Sequence, residues 1–237
     1  MYKRIRGRLQ TFVPAYAVIP LFSCLAFNCL IYFGTGWITE GWRKFDFTTA
    51  FDRMVPLLPA FVAVYLGCYV FWAVNYILIA RVGKEYCMRF VTADLMSRLV
   101  CAVFFLLLPT TNVRPGLTGG GFWSGMLGMV WQIDSPSNLF PSIHCLISWF
   151  CYIGLRGRKE VPRWYRGMSL VLAILVFVST QVTKQHYIAD VIGGVVIAEV
   201  CFYIGFHTEW YRSLTKIFDR ITGYFSRKAD PADEMRK

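Results

Sequence analysis

Charge is scarce in this sequence: 16% of its 237 residues are Asp, Glu, Lys or Arg, against 56% hydrophobic and 17% aromatic. The few charges gather in short clusters between apolar runs, which excludes an ordinary soluble domain and fits a polytopic helical membrane protein. Histidine is scarcer still, with three in the chain. Paired cysteines are also missing: Cys24, Cys29, Cys68, Cys87, Cys101, Cys145, Cys151 and Cys201 nearly all fall inside apolar runs, with no CxxC or metal-like spacing. They read as small buried hydrophobes, which excludes a disulfide framework and a zinc site. No carboxylate cluster stands ready to hold a catalytic metal, so neither metal nor cofactor is expected. The net charge of +11 invites a nucleic-acid reading. A nucleic-acid face, however, needs basic residues spread along one soluble surface, and no nucleic-acid partner is expected.

What the chain does have is long uncharged stretches. Behind the basic start, Met1 to Arg8, an uncharged run continues from Leu9 to Thr39 without a small-residue cleavage pattern, and reads as a first span at about 13–34 rather than a signal peptide. The segment from Gly41 to Arg53 mixes aromatics and charges and is expected at the interface, with Phe45, Phe47 and Phe51 partly in lipid. Further spans are expected at about 55–80, 90–109, 141–156, 167–183 and 189–206, giving one six-span domain over residues 1–237 with a disordered tail from Ser226. Asp94 and Arg98, one helical turn apart near the start of the third span, are expected to pair with each other. Asn75 and Glu199 are expected to serve helix packing.

Residues 115–133 carry no charge and could be taken for a seventh span, but six glycines (116, 119, 120, 121, 125 and 128) lower their helix propensity. The distribution of Lys and Arg decides. With six spans, nineteen lie on the side of the amino terminus, and only Arg43, Lys44, Arg53, Arg114 and Lys184 lie opposite. That bias puts both termini in the cytoplasm, makes 115–133 a re-entrant or interface-lying segment, and brings the 109–141 and 180–190 loops together on the non-cytoplasmic side, most simply of the plasma membrane.

Three polar groups meet there. Arg114-Pro115 follows the third span, Pro141-Ser142-Ile143-His144 opens the fourth, and His186 with Asp190 opens the sixth. If a helix begins at 186, His186 and Asp190 share one face at i and i+4, so the carboxylate can orient the imidazole. Ser142 and the free N–H groups of a helix start form an anion site, and Arg114 adds a forked cationic donor suited to phosphate oxygens. Two histidines across a phosphate can divide the work, one attacking phosphorus and the other protonating the departing oxygen. His207, at the cytoplasmic end of the last span, needs no function.

These residues resemble the type 2 phosphatidic acid phosphatase family, whose soluble relatives include vanadium haloperoxidases. The family pattern is Lys, six residues, Arg-Pro; then Pro-Ser-x-His; then Ser-Arg, five residues, His, three residues, Asp. Here Arg114-Pro115, Pro141-Ser142-Ile143-His144, and Ser179 with His186 and Asp190 keep its order and spacing, over roughly residues 90 to 206. The resemblance implies an all-α integral membrane fold of six transmembrane helices with a haloperoxidase-like core. It further implies His186 as nucleophile, Asp190 as its orienting carboxylate, His144 as general acid and later base, and Arg114 and Ser142 as phosphate ligands. Two positions depart from it: Leu107 stands for the family's lysine and Thr180 for its second arginine. Lys184 either replaces part of that charge or simply snorkels to water.

The expected activity is a metal-independent lipid-phosphate phosphatase working through a phosphohistidine, with a lipid phosphate as substrate and membrane lipids as surroundings. Gln185-His186-Tyr187-x-x-Asp190 also resembles the inositol phosphorylceramide and sphingomyelin synthase branch, which passes a phospho-headgroup to a lipid hydroxyl. A non-catalytic membrane protein that only binds lipid phosphate is the reading from another class. Channel function is the least favoured reading, because no ring of like charges lines a span.

Overall fold

An apolar run inside lipid must satisfy its own backbone hydrogen bonds, and a helix does so within one segment. In the computed structural model, which describes residues 12–117, 119–134 and 136–228, the apolar runs are helices. In chain order they are α1 (Ala15–Ile38), α2 (Ala50–Met54), α3 (Val62–Val82), α4 (Lys84–Leu107), α5 (Phe122–Ile133), α6 (Ile143–Leu155), α7 (Arg163–Val182), α8 (Ile188–His207) and α9 (Trp210–Lys228). Two short strands, β1 (Phe45–Asp46) and β2 (Thr110–Thr111), pair in parallel and tie the α1–α2 loop to the chain leaving α4.

Among the described residues five helices are long and apolar enough to cross a membrane: α1, α3 with its preceding 3-10 turn, α4, α7 and α8. The expected fourth span, 141–156, is the exception. Its helix α6 has 13 residues, about 20 Å at 1.5 Å per residue against a hydrocarbon core of about 30 Å. Ten of its residues are buried, because α3, α7 and α8 pack around it. It is apolar as the centre of the bundle, and hydropathy cannot tell that environment from lipid. The six expected crossings thus become five long helices and one short enclosed one.

The bundle has two distinct ends. Residues 39–58, 108–142 and 183–187 meet at one, called here the site end: Phe45 N donates to Pro109 O at 2.8 Å and Leu58 N to Val182 O at 2.8 Å. At the other, Tyr86 Oη donates to Gly154 O at 2.8 Å, and Arg89 Nη1 to Phe206 O and Thr208 O, each at 3.0 Å. The uncharged stretch within 115–133 forms the twelve-residue helix α5 at the site end. Helix α9 packs on α4 and α1 through buried Tyr211 and Phe218. It runs on to Lys228, past Ser226 where a disordered tail was expected; residues 229–237 and the basic start at 1–8 lie outside the described residues.

Helices α1 and α3 both pack on α4 and make few contacts with each other. The gap between them is a cavity of about 1330 Å³, lined along its length by residues from Ala15 to Phe33 of α1, a run of about 27 Å at helical rise. Asp94 and Arg98 lie beneath it. Because α4 begins at Lys84, this pair sits mid-helix rather than near the membrane edge. Arg98 Nη2 meets Asp94 Oδ1 at 2.7 Å, with the two side chains 1% and 0% exposed, and Tyr76 Oη donates to the same oxygen at 2.6 Å. Asn75 bridges helices as expected, donating to Tyr165 Oη at 3.3 Å and accepting from Ser169 Oγ at 3.2 Å.

Removing one partner of a buried pair leaves the other charged and unsatisfied. Arg98→Ala should therefore destabilise the fold by about 3–5 kcal/mol. The check is the melting temperature in detergent, where the double variant Asp94→Leu/Arg98→Met should melt above Arg98→Ala alone.

Candidate active site

Two helix starts build the site. Ser142 is the N-cap of α6, its Oγ accepting from Cys145 N at 3.3 Å, the residue type that satisfies otherwise orphaned N–H groups. Tyr187 precedes α8, whose first turn is held by two carboxylates. Asp190 Oδ2 accepts from Tyr187 N at 2.9 Å, and Asp52 Oδ1 accepts from Ile188 N at 2.8 Å. The starts are joined directly, Ser142 N donating to Asp190 O at 3.0 Å. Gly194 makes this approach possible: a Cβ there would lie 2.6 Å from Ser142 O and 3.1 Å from Leu146 N.

The junction brings His144 and His186 together, with ring centroids 5.7 Å apart at 52°. Asp190 Oδ2 lies 3.4 Å from His186 Nδ1, within ion-pair range though short of a formed hydrogen bond. His144 Nε2 is buried without a hydrogen-bond partner among the described residues. Its ring stacks on Tyr65 at 4.5 Å and meets Trp72 at 5.4 Å and Tyr69 at 6.1 Å. Trp72 Nε1 also donates to Ser148 Oγ at 2.8 Å, one turn below His144. Both histidines line the site end of the long cavity.

The other expected residues divide. Asp190 stands behind His186, and Ser142 is fully buried in its capping bond. Arg114 lies behind Gln185: its Nη2 donates to Gln185 Oε1, its Nη1 to Trp131 O at 3.1 Å, and its Cζ sits 5.5 Å from the Trp131 ring centroid. Gln185, not Arg114, forms the cavity wall there. Burial pushes the Arg114 guanidinium below its usual pKa, with the Asp134 carboxylate acting the other way.

Lys184 does not join the group. Its Nζ donates to Asp52 O at 2.8 Å and Val55 O at 2.6 Å, and it lines a separate smaller pocket. Burial lowers its pKa against the opposing pull of Asp52. Its backbone is left-handed, with φ of 56°, which turns the chain from α7 toward His186. Leu107 is 77% exposed on the outside of α4, and Thr180 is buried with Oγ1 donating to Phe177 O at 2.8 Å. Neither position supplies a cation.

Asp52, Asp134 and Tyr65 were not anticipated at the site, and Gln185 was read only as part of the Gln185-His186-Tyr187-x-x-Asp190 motif. Asp134, at the end of α5, lines the cavity beside both histidines and accepts from Tyr32 Oη and, at 3.0 Å, from Tyr65 Oη. It is the single acidic residue between Asp94 and Glu160, which was the available signal. Tyr65, Tyr69 and Trp72 fall at i, i+4 and i+7, one stripe of a helix.

The fold and site define a multi-pass α-helical membrane protein with a paired-histidine centre at one end of its bundle. The chain belongs to the PAP2 superfamily, whose family model it matches over residues 39–204. No curated protein and no solved structure matches it. Membership makes it a phosphoesterase-type membrane enzyme at a coarse level.

The two cations should separate in a binding experiment with orthovanadate as phosphate analogue. Arg114→Ala should weaken vanadate about 10–100-fold, the worth of a lost charge-assisted hydrogen bond. Lys184→Met should change vanadate affinity by less than about twofold while lowering stability by about 1–3 kcal/mol through two orphaned carbonyls. Equal loss of vanadate in both variants would put Lys184 at the phosphate after all.

Proposed function

We propose that this chain is a lipid phosphoesterase that breaks a phosphate ester of a membrane lipid through a phosphohistidine on His186. The observation that carries the reading is the pair of imidazoles 5.7 Å apart at the head of a lateral apolar cavity. A cavity open between α1 and α3 suits a substrate whose chains stay in the bilayer. The two helix starts and Arg114 suit the phosphate.

With Asp190 facing Nδ1, His186 Nε2 is the nucleophile. It attacks phosphorus, the P–O ester bond breaks, and His144 gives its proton to the departing oxygen. His144 then takes a proton from the incoming acceptor, whose oxygen attacks phosphorus and frees His186. With water as acceptor the enzyme is a phosphatase on the non-cytoplasmic face of the plasma membrane, with both termini in the cytoplasm. The second reading is transfer to a lipid hydroxyl, as in sphingomyelin-synthase-like enzymes. The withdrawn Lys184 favours it: with Leu107 and Thr180 uncharged, a single guanidinium serves the phosphate, and a phosphodiester carries less charge to offset.

Purified protein should turn over at least one lipid from a panel of labelled phosphomonoesters and phosphodiesters supplied with diacylglycerol or ceramide, without added divalent metal. His186→Ala should lower that turnover by at least about 10³-fold, as loss of a covalent nucleophile does. Label in free phosphate or phospho-headgroup means hydrolysis, and label in a new lipid means transfer. Turnover that survives His186→Ala ends the phosphohistidine reading.

A further inference from the structure

We propose that Asp134 makes this site select phosphodiesters over phosphomonoesters. The inference rests on the phosphate being held at His144 and His186, and narrows the substrate class of that site.

Asp134 shares the cavity end with both imidazoles. Tyr65 fixes its position relative to them, since the ring stacks on His144 at 4.5 Å while its hydroxyl donates to Asp134 Oδ2 at 3.0 Å. Tyr32 holds Oδ1 from the opposite wall. Among the described residues Asp134 forms no ion pair; Arg114 lies close enough to feel its charge but bonds Trp131 and Gln185 instead. The cavity end thus has one carboxylate on its wall, Asp134, with one fixed cation, Arg114, behind Gln185 and a second carboxylate, Asp190, behind His186.

A phosphomonoester brings nearly two negative charges at neutral pH, and the second has no cation to meet. A phosphodiester brings one. Its second substituent also replaces an anionic oxygen with a group that can carry hydroxyl or ammonium donors. A carboxylate offers about four lone-pair sites, and the two tyrosines occupy two, leaving Asp134 able to accept from such a headgroup. Repulsion of one charge class and acceptance of the other act in the same direction, which is how specificity is commonly built.

The test needs no turnover, so it can fail independently of the phosphohistidine mechanism. His186→Ala protein in nanodiscs of neutral lipid is titrated with dioleoylphosphatidylglycerol and with dioleoylphosphatidic acid at about pH 8, above the second phosphate ionisation. The diester should bind at least about tenfold tighter, a modest share of the repulsion between two charges a few ångströms apart at a protein surface. Adding Asp134→Asn, which keeps one acceptor oxygen, lets the amide N–H donate to the other tyrosine oxygen and removes the charge, should bring the two affinities to within about twofold of each other. Asp134→Ser, read the same way, covers the case in which the amide variant folds poorly. Equal affinities before the second substitution, binding of neither lipid, or a ratio that survives both Asp134 substitutions overturns the proposal.

Discussion

The hydrogen bond from Ser142 N to Asp190 O, 3.0 Å long, is the contact on which the site depends. It clamps the first turn of α6 to the first turn of α8, and each histidine sits within a turn of the clamp. Gly194 permits it, since any side chain there would strike the Ser142 carbonyl. The positive ends of two helix dipoles converge in consequence, each worth roughly half a charge. These backbone charges are fixed by the fold and cost no side-chain ordering. They give this end of the cavity a positive bias, offset in part by Asp190 and Asp52, which accept from the first N–H groups of α8.

The same clamp explains why the short helix is the central one. With α3, α7 and α8 around it, α6 needs only to place His144 at the top and fill the core below. Phe150, Ile153 and Leu155 do the latter, each no more than 1% exposed. Two sets of polar groups below the site tie neighbouring helices together. Glu199 accepts from Trp149 Nε1 at 3.0 Å and Arg156 Nη1 at 3.3 Å, and Trp72 donates to Ser148. Such bonds hold neighbouring helices in register where lipid-like packing alone is non-directional.

Much of this was legible in the sequence. His144, His186 and Asp190 are near a helix start, where spacing along the chain maps onto position in space, so their meeting could be read from motif order and the sidedness of the loops. The apolar runs gave the five long helices for the same reason. Helix α6 misled because a buried helix and a lipid-facing one have the same hydropathy. Lys184 misled because its direction is set by a left-handed φ, and composition does not show which way a turn points. Asp134 stood out only as an isolated acid, and its place at the site was not legible because its partners, Tyr32 and Tyr65, lie 102 and 69 positions away. Only the packing of α1 and α3 about α4 brings them together.

Lys184 shows what the chain does with a cation it does not bring to the two histidines. The turn from Thr183 to Tyr187 must leave α7 and enter α8 while aiming His186 at the cavity, and three distant segments hold it. Asn112 Nδ2 donates to Lys184 O at 3.1 Å, Trp131 Nε1 to Thr183 O at 3.0 Å, and Lys184 Nζ reaches the carbonyls of Asp52 and Val55. Asp52 completes the circuit by capping α8 at Ile188. From α7 itself, Thr180 O accepts from Gln185 N at 2.9 Å and His186 N at 3.0 Å. A side chain on an ordinary surface loop would sample many orientations, and each would lower the fraction of time it faces the cavity. Here the carbonyls of Thr183 and Lys184 have partners from distant segments, and the N–H groups of the turn have theirs in α7 and α8. The lysine is one of the pins, its ammonium group holding the turn that points His186 at the cavity.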